Sequence, residues 1–126
     1  ALFIAGGYNF CRAAPFLEEI GYSAAEHMFF GEEVVMSLRL WTYGFDIFTP
    51  QKEVVHHLWS RDYRPAYIAP SSARAHINAQ LRAFFREEAT DPALAAAFAL
   101  GSSRTVAEFW SAAGLVERPS FQPADV

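Results

Sequence analysis

A single cysteine, Cys11, leaves this 126-residue chain with no internal disulfide, so its stability has to come from packing. A lone thiol fits a reducing compartment, and a cytoplasmic location is the expectation. No apolar run nears the roughly 20 residues that cross a bilayer, so no membrane span is expected. Basic blocks and stripes are missing too. The formal charge is -4 and the pI about 5.5, a balance that argues against nucleic acid as partner. Several catalytic signatures with fixed spacing do not occur: no Gly-rich phosphate loop, no G-x-S-x-G elbow, no Cys/His protease pairing. No second His or Cys stands at a zinc spacing, which argues against a closed structural zinc site. An Asp-x-Asp or Asp-x-His motif is also absent. No signal peptide is visible. The opening Ala1-Leu2-Phe3-Ile4-Ala5 reads instead as the inside of a strand in a larger protein.

What is present is apolar and aromatic. Hydrophobic residues make up 52% of the chain, enough for one core at this size. The aromatic share is 16%, which fits a filled core or, alternatively, an aromatic ligand platform. Residues 2–5 form an apolar run that predicts a buried strand, broken by Gly6-Gly7. A Gly pair there marks a bulge or a close backbone approach. A helix is predicted over residues 13–20, with Pro15 in its first turn and Gly21 ending it. A second helix is predicted over 32–43. Val34, Val35, Leu38 and Trp41 give it one apolar face, and Gly44 caps it. Strands are expected at 45–49 and 54–59. From Ser71 the chain turns Ala-rich, with helices expected over 73–88, from Asp91-Pro92 to Gly101, and after Thr105. Thr105 and Glu108 form a capping-box pattern, and Gly114 closes that last helix.

The candidate chemistry gathers in the first half. Glu32 and Glu33 sit at a predicted helix start, where free N–H groups and the dipole favour the ionised carboxylate. Acidic residues are also common there for stability alone. Gly31, lacking a Cβ, lets a ligand come near the backbone. His56 and His57, adjacent on a predicted strand, point to opposite faces, so only one of them faces a given site. A manganese or magnesium site with one imidazole, carboxylates from elsewhere and phosphate oxygens fits these residue types. Arg61 and Arg64 carry guanidinium forks suited to phosphate oxygens, or to an ion pair with Asp62. Asp46 reads as a turn acid bonded to backbone N–H groups.

Three segments then combine: Ile4-Ala5-Gly6-Gly7, Phe29-Phe30-Gly31-Glu32-Glu33, and the run from Arg39 to Pro50. Together they resemble the cytoplasmic polypeptide (hydroxyproline) N-acetylglucosaminyltransferases. The polypeptide N-acetylgalactosaminyltransferases, with an Ala-Gly-Gly strand, a Gly-Glu-Asn helix start and a His-x-x-Arg strand, look like more distant relatives. The resemblance is strong over residues 2–67 and extends weakly through 100–105. It implies an α/β chain, part of a GT-A (nucleotide-diphospho-sugar transferase) fold, with few mixed strands and a helical C-terminal extension. Residues 1–68 would be the acceptor and donor-sugar half of the catalytic domain, 69–118 the extension and 119–126 a tail. The nucleotide-binding N-terminal half, with its acidic metal motif, would lie outside the chain, which alone would be inactive.

By the same resemblance, Glu32 takes the position that contacts donor-sugar hydroxyls, and Glu33 lies beside the acceptor; these are the catalytic pair. Gly6, Gly7, Gly31, Arg61 and Arg64 fall on the donor side, and His57 takes the metal-ligand position. Arg61 is displaced by one residue because Ser60 intervenes, so Arg61 and Arg64 are both candidates for the diphosphate contact. The implied reaction is transfer of N-acetylglucosamine, or another hexose, from a UDP-sugar to a protein or glycan hydroxyl with retention. The implied metal is Mn2+, with Mg2+ as the substitute. An inverting relative would use a carboxylate at this helix start as general base. The alternatives from other classes are a catalytically silent carbohydrate- or peptide-binding remnant of the fold, and a helical interaction module.

Overall fold

A computed structural model describes residues 1–22, 25, 28, 31–58, 60, 62 and 71–114. Helices carry the architecture among these. α1 (Ala13–Pro15) widens at once into a π-helical turn, Phe16–Ile20. It ends where the Gly21 N–H bonds Phe16 O, five residues back. α2 spans Glu32–Thr42 and α3 spans Ser71–Phe85. A 3-10 turn, Pro92–Leu94, leads into the short α4 (Ala95–Phe98), and α5 covers Val106–Ala112.

The helix ends follow from local chemistry. Gly44, at φ +86°, closes α2. Its N–H bonds Trp41 O, while the Phe45 N–H reaches back to Leu40 O. That is the Schellman arrangement, in which two orphan carbonyls of the last turn are satisfied together. Phe45 then packs with Leu40, the apolar contact that accompanies the motif. At α5 the predicted capping box forms: Thr105 Oγ1 accepts from the Glu108 N–H at 3.1 Å, and Glu108 Oε2 accepts from the Thr105 N–H at 2.7 Å. Those bonds, the backbone one first, hold the Glu108 carboxyl below its ordinary value.

Strands are where expectation and structure part. Among the described residues, the β-type pairing is one isolated antiparallel bridge between Ala5 and Tyr8. Residues 2–5, 45–49 and 54–58 stay outside any ladder. Their β-branched and aromatic content fits a strand, but a strand exists only with a neighbour to pair with. Residues 53–58 are exposed instead, with Phe48 nearby at 82% exposure. The expected boundary near residue 68 and the tail at 119–126 lie outside the described residues.

α2 is the axis of the packing. The predicted single apolar face understates it, because every residue from Val35 to Leu40 is buried, and Thr42 with them. One side, Val35 and Leu38, joins a core with Ile77, Leu81, Phe84 and Phe85 of α3, Phe98 of α4, and Phe109 and Trp110 of α5. Phe109 lies edge-on to both Trp41 and Trp110, with centroids 6.0 and 4.9 Å apart. The opposite side, Met36 and Leu40, packs with Ile20, Ile4, Phe16 and Ile47. A helix buried on both sides has no solvent face for its polar residues, so each must find a protein partner.

Ser37, Arg39 and Thr42 are those residues, and each fastens a different segment. Ser37 Oγ accepts from the Ile4 N–H at 2.9 Å. Arg39, only 2% exposed, donates to Ala99 O at 2.9 Å, to Gly21 O at 3.2 Å and to Ile20 O. Thr42 Oγ1 accepts from the Gly101 N–H at 3.0 Å, while Thr42 O accepts from the Ser103 N–H at 2.8 Å. That last approach requires glycine: a Cβ at Gly101 would stand 2.5 Å from Thr42 O.

Arg39→Ala would strand one buried carbonyl and two half-buried ones and open a cavity. Each buried acceptor left unsatisfied costs on the order of 1–3 kcal/mol, a large share of a small domain's stability. Chemical denaturation should show that loss. Arg39→Lys should recover little of it, since one ammonium cannot reproduce a fork that reaches three carbonyls.

Candidate functional site

The N-terminal end of α2 is where the sequence-predicted residues converge. Gly31 precedes the helix at φ +91° without a side-chain cap of its own. A side chain there would be strained by that backbone. It would also sit 3.0 Å from Leu81 Cδ1 of α3. Glu32 and Glu33 follow in the first turn, where unsatisfied N–H groups favour negative charge.

Glu33 turns toward the Gly pair. Its Oε1 accepts from the Gly6 N–H at 2.6 Å. Gly6 and Gly7 are the middle of a four-residue turn closed by the Tyr8 N–H on Ala5 O at 3.2 Å. A Cβ on Gly6 would lie 3.2 Å from the same carboxylate oxygen. On the other side of the turn, His57 Cδ2 is 3.7 Å from where a Gly7 Cβ would be. Gly6, Gly7, Glu33 and His57 therefore meet in one corner, with Glu32 and Gly31 adjoining through the chain. The close backbone approach expected at Gly6-Gly7 is present. His57 reaches the corner from irregular chain, so the alternating faces of a strand are not what brings it there.

Glu32 is half-buried, and its pKa is raised, first by burial and then by the Glu33 charge beside it. The favourable helix end does not offset those two effects. A half-buried carboxyl with a raised pKa in the first turn of a helix is the kind of group that can hydrogen-bond sugar hydroxyls or exchange a proton.

At the other end of α2 a second constellation forms. Arg104 bonds Asp46 Oδ1 at 2.8 Å and the carbonyls of Gly44 and Phe45 at 3.3 Å each. Its Cζ lies 4.5 Å from the Trp41 ring centroid, and Trp41 Nε1 donates to Thr105 O at 3.1 Å. Asp46 is thus an ion-pair partner rather than the turn acid expected. A shallow cavity of about 270 Å³ lies beside it, lined in part by Trp41, Phe45 and Phe48. This end locks the helix to residues 101–105, far along the sequence from the carboxylates.

Arg61 and Arg64 lie outside the described residues, as do Phe29, Phe30, Trp59 and Tyr67. Asp62 takes a hydrogen bond from the Ser60 hydroxyl at 2.6 Å. Among the described residues no three His, Cys, Asp or Glu cluster as a metal site. His57 can contribute one ligand, and these residues alone do not make a metal site. Sequence reasoning missed Ser37. Its signal is a hydroxyl four residues after Glu33, inside an otherwise apolar run.

Comparison with known proteins adds the class. A family model described as Glycosyltransferase (GlcNAc) matches residues 1–118, nearly the whole chain, and the chain belongs to that family. Glycosyl transfer is therefore its general chemistry, and transferase its enzyme class. No curated protein and no solved structure matches it.

The raised pKa of Glu32 has a stability consequence with a definite sign. Between the unfolded carboxyl's value and the higher folded one, the native state binds more protons than the unfolded state. Stability then falls as pH rises through that window. Glu32→Gln removes this penalty. The variant should be more stable than wild type at neutral pH, with the gain vanishing below the ordinary glutamate range. Parallel melting curves from pH 3 to 8 check this, and a pH-independent difference would contradict it.

Proposed function

We propose that the chain is the acceptor and donor-sugar half of a GT-A glycosyltransferase that moves N-acetylglucosamine from a UDP-sugar to a protein or glycan hydroxyl. The observation that carries this reading is the corner itself: Glu33, in the first turn of α2, bonds a glycine turn that His57 flanks, with Glu32 next to it in the chain. Family membership supports the transfer chemistry. The resemblance of the Gly6-Gly7, Gly31-Glu32 and His57 segments to the hydroxyproline-directed transferases is what favours this donor and acceptor class, and with it a cytoplasmic setting.

On this reading Glu32 orients the donor by accepting hydrogen bonds from sugar hydroxyls, and Gly6, Gly7 and Gly31 fall on the donor side. Arg61 and Arg64 are the candidates for balancing the leaving diphosphate, which guanidinium groups do well. A divalent cation, Mn2+ first and Mg2+ second, would take His57 as one ligand, with its carboxylates coming from beyond the described residues. The segments at 45–49 and 54–58 would become strands once a nucleotide-binding half offers edges to pair with. Retention at the anomeric carbon is the expected stereochemistry.

The test is UDP-N-acetylglucosamine turnover by the full-length parent, with and without manganese, for wild type, Glu32→Gln and His57→Ala. Wild-type turnover should require manganese. Glu32→Gln should lower kcat by about 10²-fold, the scale of losing a directed hydrogen-bonding group at a reacting centre. His57→Ala should raise the manganese concentration needed for half-maximal rate. Turnover indifferent to both substitutions would reduce Glu32 to a helix-end acid and His57 to packing. Sugar binding without turnover in every protein would establish the silent remnant instead.

A further inference from the structure

Two side chains of α2, one helical turn apart, hold two backbone amides of the first segment, two residues apart. Glu33 takes the Gly6 N–H at 2.6 Å and Ser37 takes the Ile4 N–H at 2.9 Å. The spacings match: four helical residues rise about 6 Å, and two extended residues advance about 6.6 Å. N–H groups at alternate positions of an extended segment lie on the same edge. Residues 4–6 therefore meet α2 much as they would meet a neighbouring strand, with side-chain oxygens in place of carbonyls. Ser37 is itself fixed, since its hydroxyl donates to Glu33 O at 2.5 Å. The serine hydroxyl thus accepts from the segment and donates to the helix, using both of its bonding capacities.

We infer from this geometry, resting on the glycosyltransferase reading above, that Glu33 is a positioning residue and Ser37 its companion. Glu33 serves as an acceptor oxygen for the Gly6 N–H. That bond holds the Gly6-Gly7 turn, which His57 flanks, against the helix start. Its neighbour Glu32 is left as the carboxylate for the substrate. Two adjacent acids of the same kind so divide the work, one aimed at the backbone and one at the sugar. Glu33 is exposed, so its replacement removes the strut without removing core.

The discriminating variants are Glu33→Gln and Glu33→Ala in the full-length protein. Glutamine keeps an acceptor oxygen and drops the charge, whereas alanine drops both. UDP-N-acetylglucosamine turnover should fall about tenfold in Glu33→Ala, mainly in kcat, and return to within about threefold of wild type in Glu33→Gln. Ser37→Ala should behave like Glu33→Ala. The double variant should lose less than the product of the two, since both bonds hold one segment. Amide hydrogen exchange at Gly6 should quicken in Glu33→Ala and stay slow in Glu33→Gln. Glutamine as damaging as alanine would overturn the inference, because the charge itself would then matter. So would unchanged Gly6 exchange in Glu33→Ala. If wild type turns over no UDP-sugar, the enzyme reading fails, while the Gly6 exchange still decides whether Glu33 holds the turn.

Discussion

A guanidinium buried among carbonyls, with no carboxylate partner among the described residues, constrains the packing around α2. Arg39 reaches the end of the π-helical turn through Ile20 and Gly21, and the end of α4 through Ala99. Those points are distant in sequence and have to arrive together, because each carbonyl left unbonded in the interior costs on the order of 1–3 kcal/mol. Burial lowers the Arg39 pKa, with Tyr43 acting in the opposite sense. A guanidinium nonetheless stays protonated in a protein. Its charge is dispersed over a planar fork and satisfied by dipoles, which is why arginine suits this position and lysine does not.

The same logic repeats along the helix. Ser37 fixes the first segment and Thr42 fixes residues 101–103, so α2 holds the chain by its polar side chains as much as by its apolar ones. The functional consequence lies at the N-terminal end. The Arg104 clamp at the C-terminal end and the Leu81 contact against Gly31 leave the helix little freedom to slide. Glu32 is thereby held at a fixed place in the first turn of α2. A carboxylate meant to read sugar hydroxyls works only if its position is set before the substrate arrives. The helical extension, which looks remote from the chemistry in sequence, supplies part of that rigidity through Leu81.

Local signals in the sequence were legible and non-local ones were not. Helix ends were readable because their causes are local: Gly21, Gly44 and Gly114 fall where helices stop, and Thr105 with Glu108 forms the capping box. The strands were not readable, since Val54 and Val55 favour a strand only when another strand lies alongside. Ser37, Arg39 and Thr42 read in sequence as ordinary polar residues within an apolar helix, whereas each is buried and fastens a distant segment. Nothing within one turn of sequence announces a partner 60 positions away at Ala99. In the site, the first-turn glutamates and the Gly pair could be picked out by residue type. That Glu33 bonds Gly6 could not, because 27 positions separate them.

The central claim is that the donor sugar is read by Glu32 next to the corner formed by Gly6, Gly7, Glu33 and His57. Backbone amide shift mapping on the isotopically labelled full-length protein, titrated with UDP-N-acetylglucosamine and manganese, tests it most directly. The account predicts saturable shifts concentrated at Gly6, Gly7, Gly31, Glu32 and His57, with Arg104, Thr105 and Glu108 unmoved. Saturable shifts gathered elsewhere, around Trp41 and Phe48 for instance, or no shifts at any of these residues, would contradict it.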